Sequence, residues 1–369
     1  MINIIGQFFG TSGYSNHTRY LANALSKLTE VSLQTNLPQG FERLVNDKEL
    51  EMIKRETDNE INLIVTHPVF WRVNCGAKRN FVYLVWEGDT IPKWMIDECM
   101  NPEIDKIIVP SEHTRKAMEK GFHEHYDSED GMSWDLRNNV VVIPHGVDLE
   151  TFYPTGINPV EGRTVVPFTF LMNKGFRNLE DRGGVQYGIK AYLEEFTESE
   201  QVELIVKLNP AYGIPNIKEM FPCIKEKGVP KITFITDDYT PKQLNDLYNQ
   251  ADVFLSPTRA EAFNLPCLEA MACGKMCLVT GYGGQCDFVC DGVNGLHVDY
   301  KLVNVEHELE YEGIKWATVD INDLKKKLRW CYENKDKVAK FGGQGLKTSK
   351  SLTWNEAAKK IHSLTRIYR

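Results

Sequence analysis

The chain contains no run approaching the roughly 18–20 consecutive apolar residues that a membrane-spanning helix requires. It also lacks a cationic leader with a small-residue cleavage site, since Met1-Ile2-Asn3-Ile4-Ile5 reads as a short apolar strand. These two absences argue against a spanning or secreted protein and predict a cytoplasmic one. Internal repeats and low-complexity tracts are missing as well, which excludes solenoids and long disordered tails. No Asp-x-Asp stands out as a metal clasp, so no metal is expected. The three-glycine dinucleotide fingerprint is incomplete: Gly10-Thr11-Ser12-Gly13-Tyr14-Ser15 has two glycines, and no acidic residue convincingly closes the next strand. An NAD-dependent dehydrogenase is therefore the least favoured enzyme class. Cysteine does not form a disulfide framework, because nine residues, mostly at apolar positions, read as buried free thiols. Cys273, Cys277, Cys286 and Cys290, with Cys267 upstream, have gaps within zinc-site spacing. Met271–Val279, however, reads as a helix end entering a buried strand, which favours small apolar packing.

What is present points to a globular chain of 369 residues, 42% hydrophobic and 25% charged, long enough for two domains. The net charge of −8 hides an asymmetry. From Leu324 to Arg369 there are 13 Lys+Arg against 3 Asp+Glu, a local +10, which leaves −18 elsewhere. Two readings stay open for this basic region: solvated faces of C-terminal helices, or a patch for a polyanion or an anionic membrane surface.

Short β-rich runs alternate with longer amphipathic stretches. Strands are predicted at Ile2–Ile5, Ile61–Thr66, Phe81–Trp86, Lys106–Pro110 and Val140–Pro144, then at Phe168–Met172, Glu203–Leu208, Lys231–Thr236, Val253–Ser256 and Cys277–Thr280. Helices are predicted at Ser15–Leu28, Ser111–Lys120, Gly183–Phe196, Pro241–Gln250, Leu265–Ala272, Asn322–Tyr332 and Thr353–Ile367, the last opened by a cap-like Thr353 with Glu356 three residues on. Strands that are apolar throughout imply parallel sheets covered on both faces, and two such sets give two doubly wound, Rossmann-like domains. The boundary is expected in the Pro- and Gly-punctuated stretch Val147–Val166. This places an N-terminal, acceptor-side domain at 1–152 and a nucleotide-sugar-binding domain at 153–350. A final helix at 351–369 is expected to pack back toward the first domain. The polar, acidic stretch His123–Asn139 reads as a surface insertion.

Two loops carry chemistry. The first is Gly10–Ser15, between the first strand and first helix, where Gly13 permits close backbone approach and the helix N-terminus offers N–H groups to an anion. A tight turn without a ligand explains it equally. The second runs from Asp252 to Ala272, where a buried strand ends at Ser256 and a helix starts near Pro266. Glu261 then lies at the carboxyl end of a parallel strand, where open α/β sheets bind ligands. The backbone of Ala262, Phe263, Asn264 and Leu265 leads into the helix and could hold a phosphate or sugar hydroxyl, and Glu269 on its first turn could accept from a ribose. Read alone, the pair is better explained with Glu261 as a solvated charge and Glu269 as a helix-dipole partner.

The stretch "EAFNLPCLEAMACGKM" resembles the donor loop of family 4 retaining glycosyltransferases, whose pattern is "EGFGLPxxEAMAxGxP" with two glutamates eight apart. Ala262 and Asn264 replace the usual glycines and Met276 the usual proline. "VIPHGVDLETFYP" at Val142–Pro154 and "TGYGGQCDFVCDGVNGLHVD" at Thr280–Asp299 are similar to further segments of that family, so the resemblance extends across nearly the whole chain. It implies a GT-B architecture, two domains facing a cleft and closing over the donor, and no organic cofactor. It also implies a nucleotide-diphosphate sugar as donor, with a UDP-sugar the first choice.

The resemblance further implies a basic pair near the start of the second domain to neutralise the leaving diphosphate. Within Asn173–Gly184, Arg182-Gly183 aligns with the family's Lys-Gly, Lys207 is the second choice, and Arg177 the third. In the first domain, His67 and Glu87 end strands and are placed to orient an acceptor hydroxyl, although the family's histidine-plus-acid pattern is not reproduced. His145 reads as structural or as lining the cleft. The implied reaction is retaining hexosyl transfer to an acceptor hydroxyl, metal-independent, with the acceptor a saccharide, a small molecule, a lipid-linked compound or a nucleic acid. Alternatives on the same fold are a nucleotide-sugar epimerase or a phosphorylase. Beyond them stand a polyanion- or nucleic-acid-binding protein with a degenerate donor site and a glycosyltransferase acting on hydroxylated DNA bases.

Overall fold

In the computed structural model the two series of apolar runs form two six-stranded sheets. The structure describes all residues except 11, 36–44, 127–138, 157–166, 179, 226, 307–308 and 368–369. Most of the acidic stretch expected as a surface insertion, and half of the expected boundary segment, therefore lie outside the described residues. The chain divides into two compact units. One comprises Met1–Gly146, Asn304–Lys315 and Leu352–Arg369; the other comprises Val147–Val303 and Trp316–Ser351.

The first unit is built on β1 (Ile2–Gly6), β2 (Val31–Gln34), β3 (Ile61–Val65), β4 (Arg79–Tyr83), β5 (Lys106–Val109) and β6 (Val140–Val142), in the order β2-β1-β3-β4-β5-β6. Every pairing is parallel. All five residues of β1 and of β3 are buried, as a sheet covered on both faces requires. From β1 the chain moves outward to β2 and then returns to the other side of β1 as β3. Loops leaving the carboxyl ends of β1 and β3 therefore part in opposite directions, which is where such sheets open a crevice. The last helix, Trp354–Ile367, packs on the first, Gly13–Leu25. Thr353 caps it, its Oγ1 accepting from Glu356 N (3.2 Å), as its sequence signature predicts.

The second unit repeats the plan with β7 (Phe168–Lys174), β8 (Val202–Leu208), β9 (Lys231–Ile235), β10 (Val253–Ser256), β11 (Met276–Thr280) and β12 (Gly295–Val298), in the order β12-β11-β10-β7-β8-β9. Again every pairing is parallel. Its core joins Phe168, Phe170 and Met172 of β7 with Leu204 and Val206 of β8, Ile189 and Tyr192 of the Val185–Glu195 helix, and Leu324 and Leu328 of the Ile321–Glu333 helix. The reversal of strand order falls between β7 and β10. β13 (Tyr300–Asn304) and β14 (Lys315–Val319) form a separate two-stranded sheet.

The short helices Asp47–Ile53, Trp71–Asn74, Lys93–Cys99 and Ile217–Met220 were not among the sequence expectations, nor was the longer Lys335–Ser349, whose pattern three glycines interrupt. Gly342 is required there for close approach: it lies against the Gly274 carbonyl, where a Cβ would collide with backbone. The helix packs on Leu265–Ala272 and β11, and that tertiary contact overrides its weak propensity.

Candidate functional site

The site is assembled at the β7/β10 reversal. β7 ends in Lys174, whose side chain is 4% exposed. Its ammonium donates to Glu261 Oε1 (2.6 Å) and to Asn264 Oδ1 (3.0 Å). Asn264 sits in the left-handed region (φ 79°, ψ 66°) at the start of the Leu265–Ala272 helix, and its side chain turns away from the helix to donate from Nδ2 to Ser256 Oγ (3.0 Å). Asparagine tolerates this conformation better than other residues with a Cβ, so the loop keeps its turn without the family's glycine. The structure thus brings Glu261, Ala262, Phe263, Asn264 and Leu265 together with a buried cation that sequence reading passed over. Arg182-Gly183 had seemed to answer the family's Lys-Gly. Lys174-Gly175 is the same dipeptide pattern, and its lysine closes the strand at the reversal.

The loop after β11 holds Glu261 from behind. Gly284 N donates to the Glu261 carbonyl (2.8 Å), and a Cβ at Gly284 would collide with the Ala262 carbonyl. Phe263 packs on Phe288 with ring centroids 5.0 Å apart. Glu261 itself keeps 22% of its side chain exposed, so the loop is fixed while its carboxylate stays reachable.

The other basic candidates occupy different surroundings. The Arg182 carbonyl accepts from Arg259 N (2.7 Å) and Thr258 Oγ1 (2.9 Å), which binds its turn to the segment leading into Glu261. The buried Arg259 guanidinium strengthens this link, donating from Nη1 to the Glu180 carbonyl (2.9 Å) and to Glu180 Oε2 (3.2 Å). Arg177 is exposed, and its backbone N–H donates to Asp181 Oδ2 (3.0 Å). The buried Lys207 ammonium donates to the Leu208 carbonyl (2.8 Å) and lies 5.3 Å from the centre of the Tyr239 ring. Burial lowers its pKa, while Asp238 and Asp237 act against that. Lys207 is thus engaged by the β8 end and not by Glu261.

Glu269, one turn into the helix, is half-buried. Its Oε2 accepts from the Tyr248 hydroxyl (2.7 Å), which in turn accepts from Asn173 Nδ2 (2.9 Å). Burial pushes the Glu269 carboxyl up to about 7, and the Tyr248 bond offsets part of that rise. The nearby thiols of Cys267, Cys273 and Cys277 are buried, and burial pushes Cys273 up to about 12. Among the described residues no group of three His, Cys, Asp or Glu is placed to hold a metal, and of the cysteine cluster Cys286 is half-buried and Cys290 exposed.

In the first unit, Gly13 is exposed at the start of the first helix, which Ser12 caps by accepting from Ser15 N (3.2 Å). Arg19 ties this loop down by donating from Nη1 to the carbonyls of Phe8 (2.6 Å) and Gly10 (2.7 Å). His67, just past β3, pairs through Nε2 with Glu310 Oε1 (2.7 Å). Glu87 is buried, and its Oε1 accepts from the Tyr311 hydroxyl (2.8 Å). Both partners belong to the segment between β13 and β14, which sequence reading had left without structure. His145 is buried among His17, Tyr83 and Trp354. In the basic C-terminal region, Lys325 pairs with Glu194 (3.3 Å), Lys327 with Asp323 (2.5 Å) and Arg329 with Glu195 (2.8 Å), which accounts for part of its charge. No helix among the described residues is long and apolar enough to cross a membrane.

Comparison with known proteins agrees with this geometry. Residues 211–311, which include the Glu261 loop, match the family model described as glycosyl transferases group 1. A D-inositol 3-phosphate glycosyltransferase of Xylanimonas cellulosilytica is 27% identical over 225 residues, 60% of this chain and 49% of the relative. Sucrose synthase 2 of Oryza sativa subsp. japonica is 30% identical over 119 residues, 31% of this chain and 13% of the relative. Among solved structures, Anabaena HepE in complex with UDP-glucose superposes with a TM-score of 0.70 at 15% identity, covering 98% of each chain. Sucrose-phosphate synthase from Thermosynechococcus elongatus gives 0.65 at 17% identity, covering 100% of this chain and 98% of the other. The fold is of the GT-B type, and residues 211–311 are similar to group 1 glycosyltransferases. It spans about half the length of the D-inositol 3-phosphate glycosyltransferases it matches.

Proposed function

We propose that this protein transfers a hexose from a nucleotide-diphosphate sugar to an acceptor hydroxyl, retaining the anomeric configuration and using no metal. The observation that carries the reading is the buried Lys174 ammonium, bonded to Glu261 and Asn264 at the mouth of a helix and at the reversal of strand order. The likeness to Anabaena HepE, solved with UDP-glucose, supports a UDP-sugar as donor.

When the bond between the anomeric carbon and the diphosphate breaks, negative charge grows on the leaving phosphate and positive charge on the ring. Fixed cations and helix-terminal dipoles aimed at that phosphate favour the transition state over the ground state. Lys174 and Arg182 fill this role, with the Leu265–Ala272 helix N-terminus behind them and Lys207 and Arg177 as outlying cations. Glu261 holds sugar hydroxyls. Glu269 holds the ribose, with Tyr248 sharing its carboxyl. The acceptor attacks from the face of departure and its proton passes to the leaving phosphate, while His67 and Glu87 orient it. The acceptor hydroxyl is carried by a saccharide, a small molecule, a lipid-linked compound or a nucleic acid.

Glu261→Ala is expected to lose transfer nearly completely while its melting temperature stays close to wild type, because the loop is held through backbone. Lys174→Met is expected to lower kcat/KM by about 10²–10³-fold, the scale of removing one transition-state charge partner. Transfer is followed with radiolabelled UDP-hexose in excess chelator, and the product anomer is read by NMR. Wild-type turnover in Glu261→Ala would remove the assignment.

A further inference from the structure

A glycine at position 264 would give the backbone its left-handed turn at lower cost than asparagine does. What asparagine adds is a side chain, only 3% exposed, that bridges two strand ends. Its Nδ2 donates to Ser256 Oγ, the last residue of β10, and its Oδ1 accepts from Lys174 Nζ, the last residue of β7. A lysine ammonium is a point charge with three rotatable donors on a flexible stem, so its direction is set by whatever it is bonded to. Here Glu261 Oε1 and Asn264 Oδ1 fix two of those donors and leave the third for a ligand oxygen. Among the described residues no hydrogen bond reaches Glu261 Oε2, so that oxygen is available to a sugar hydroxyl.

We propose that Asn264 is a positioning residue, orienting Lys174 on one oxygen of Glu261 so that the other stays open for the sugar and the site distinguishes a nucleotide sugar from the bare nucleotide. The inference rests on the nucleotide-sugar reading given above. Without Asn264 Oδ1 the ammonium has a single anchor and can swing across both Glu261 oxygens, competing with the sugar. The nucleotide base and ribose do not meet Glu261 in this reading, and the diphosphate that Lys174 faces is common to both ligands, so what the change costs there cancels when the two are compared. The ratio of the two affinities is therefore the quantity that Asn264 controls.

The test is calorimetric titration of the full chain with UDP, GDP and ADP and with their glucose conjugates, for wild type, Asn264→Gly and Asn264→Asp. For the nucleotide that wild type prefers, Asn264→Gly should weaken the conjugate about tenfold more than it weakens the bare nucleotide, the scale of one hydrogen bond to a charged group. Its melting temperature should fall only modestly, since the ease of glycine at φ 79° offsets part of the lost side-chain bonds. Asn264→Asp retains an acceptor of the same shape for Lys174 and should restore more than half of the lost ratio on a logarithmic scale. An unchanged ratio in Asn264→Gly, or equal weakening of both ligands, overturns the inference and leaves the donor site standing. If wild type binds none of the six, the functional reading itself fails and this inference falls with it.

Discussion

Lys174, bonded to the residue that opens the Leu265–Ala272 helix, and Glu269 within that helix meet opposite treatment. The first is buried but bonded to a carboxylate, and the second is half-buried against a phenol. Burial raises the Glu269 carboxyl from 4.5 to about 7, so the unfolded chain gives up this proton more readily than the folded one. Stability from this group is full below 4.5 and is lost as pH rises through about 7. Glu269→Gln should remove that loss, so that the difference in melting temperature between variant and wild type shifts in the variant's favour from pH 5 to pH 8. An unchanged difference would place the carboxyl in water. At this scale the positions of the two glutamates and of the αL-tolerant Asn264 were legible only through the resemblance of the whole loop to a family pattern, since loop position and residue type alone leave a solvated charge and a helix-dipole partner as the better reading. Lys174 was not, since its role depends on which strand neighbours β7, and nothing local to Asn173–Gly175 states that β10 does. Tyr248, which holds Glu269, was hidden for the same reason, reaching it from another helix.

At the scale of elements, the central strands were readable from continuous apolar runs, and the Pro241–Gln250 helix, which Thr240 caps, lies where it was expected. Edge strands β2 and β12 were not, being four residues each and incompletely buried. The Lys335–Ser349 helix was missed because glycine reads as a breaker where packing in fact demands it. Gly342→Ala tests that explanation. Ala raises intrinsic helix propensity by about 1 kcal/mol, yet its Cβ meets the Gly274 backbone. The expected outcome is a net loss of about 1–3 kcal/mol in denaturant unfolding, the range for overpacking. A stabilised variant would show that the approach is loose.

On the scale of the whole molecule, each unit is stitched from distant parts of the chain. In the first, His17 from the opening helix stacks with His145 (4.3 Å between ring centres) and with Trp354 of the closing helix (5.4 Å). Burial lowers the His17 pKa from 6.5 to about 3, and His145 is lowered as well. The unfolded chain therefore binds protons below 6.5 that the folded unit refuses, and stability present above 6.5 is lost as pH falls toward 3. Each such histidine contributes a slope of about 1.4 kcal/mol per pH unit in that window. His17→Phe should remove one such slope, seen in urea unfolding between pH 6 and pH 4, and an unaltered slope would mean that another group controls acid unfolding. The two-sheet plan was legible because parallel strands covered on both faces announce themselves. The excursion of Asn304–Lys315 into the first unit was not, because Tyr311 and Ile314 find their partners more than two hundred residues away.

The central claim is that the β7/β10 reversal binds a nucleotide-diphosphate sugar without metal. A thermal-shift panel of UDP, GDP, ADP and their hexose conjugates, run without metal and again with Mg²⁺ or Mn²⁺, tests it most directly, since a ligand that binds only the folded state raises its melting temperature. The account predicts a rise with one nucleotide family, UDP first, unchanged by metal. No rise with any of them, or a rise that appears only when metal is added, would contradict it.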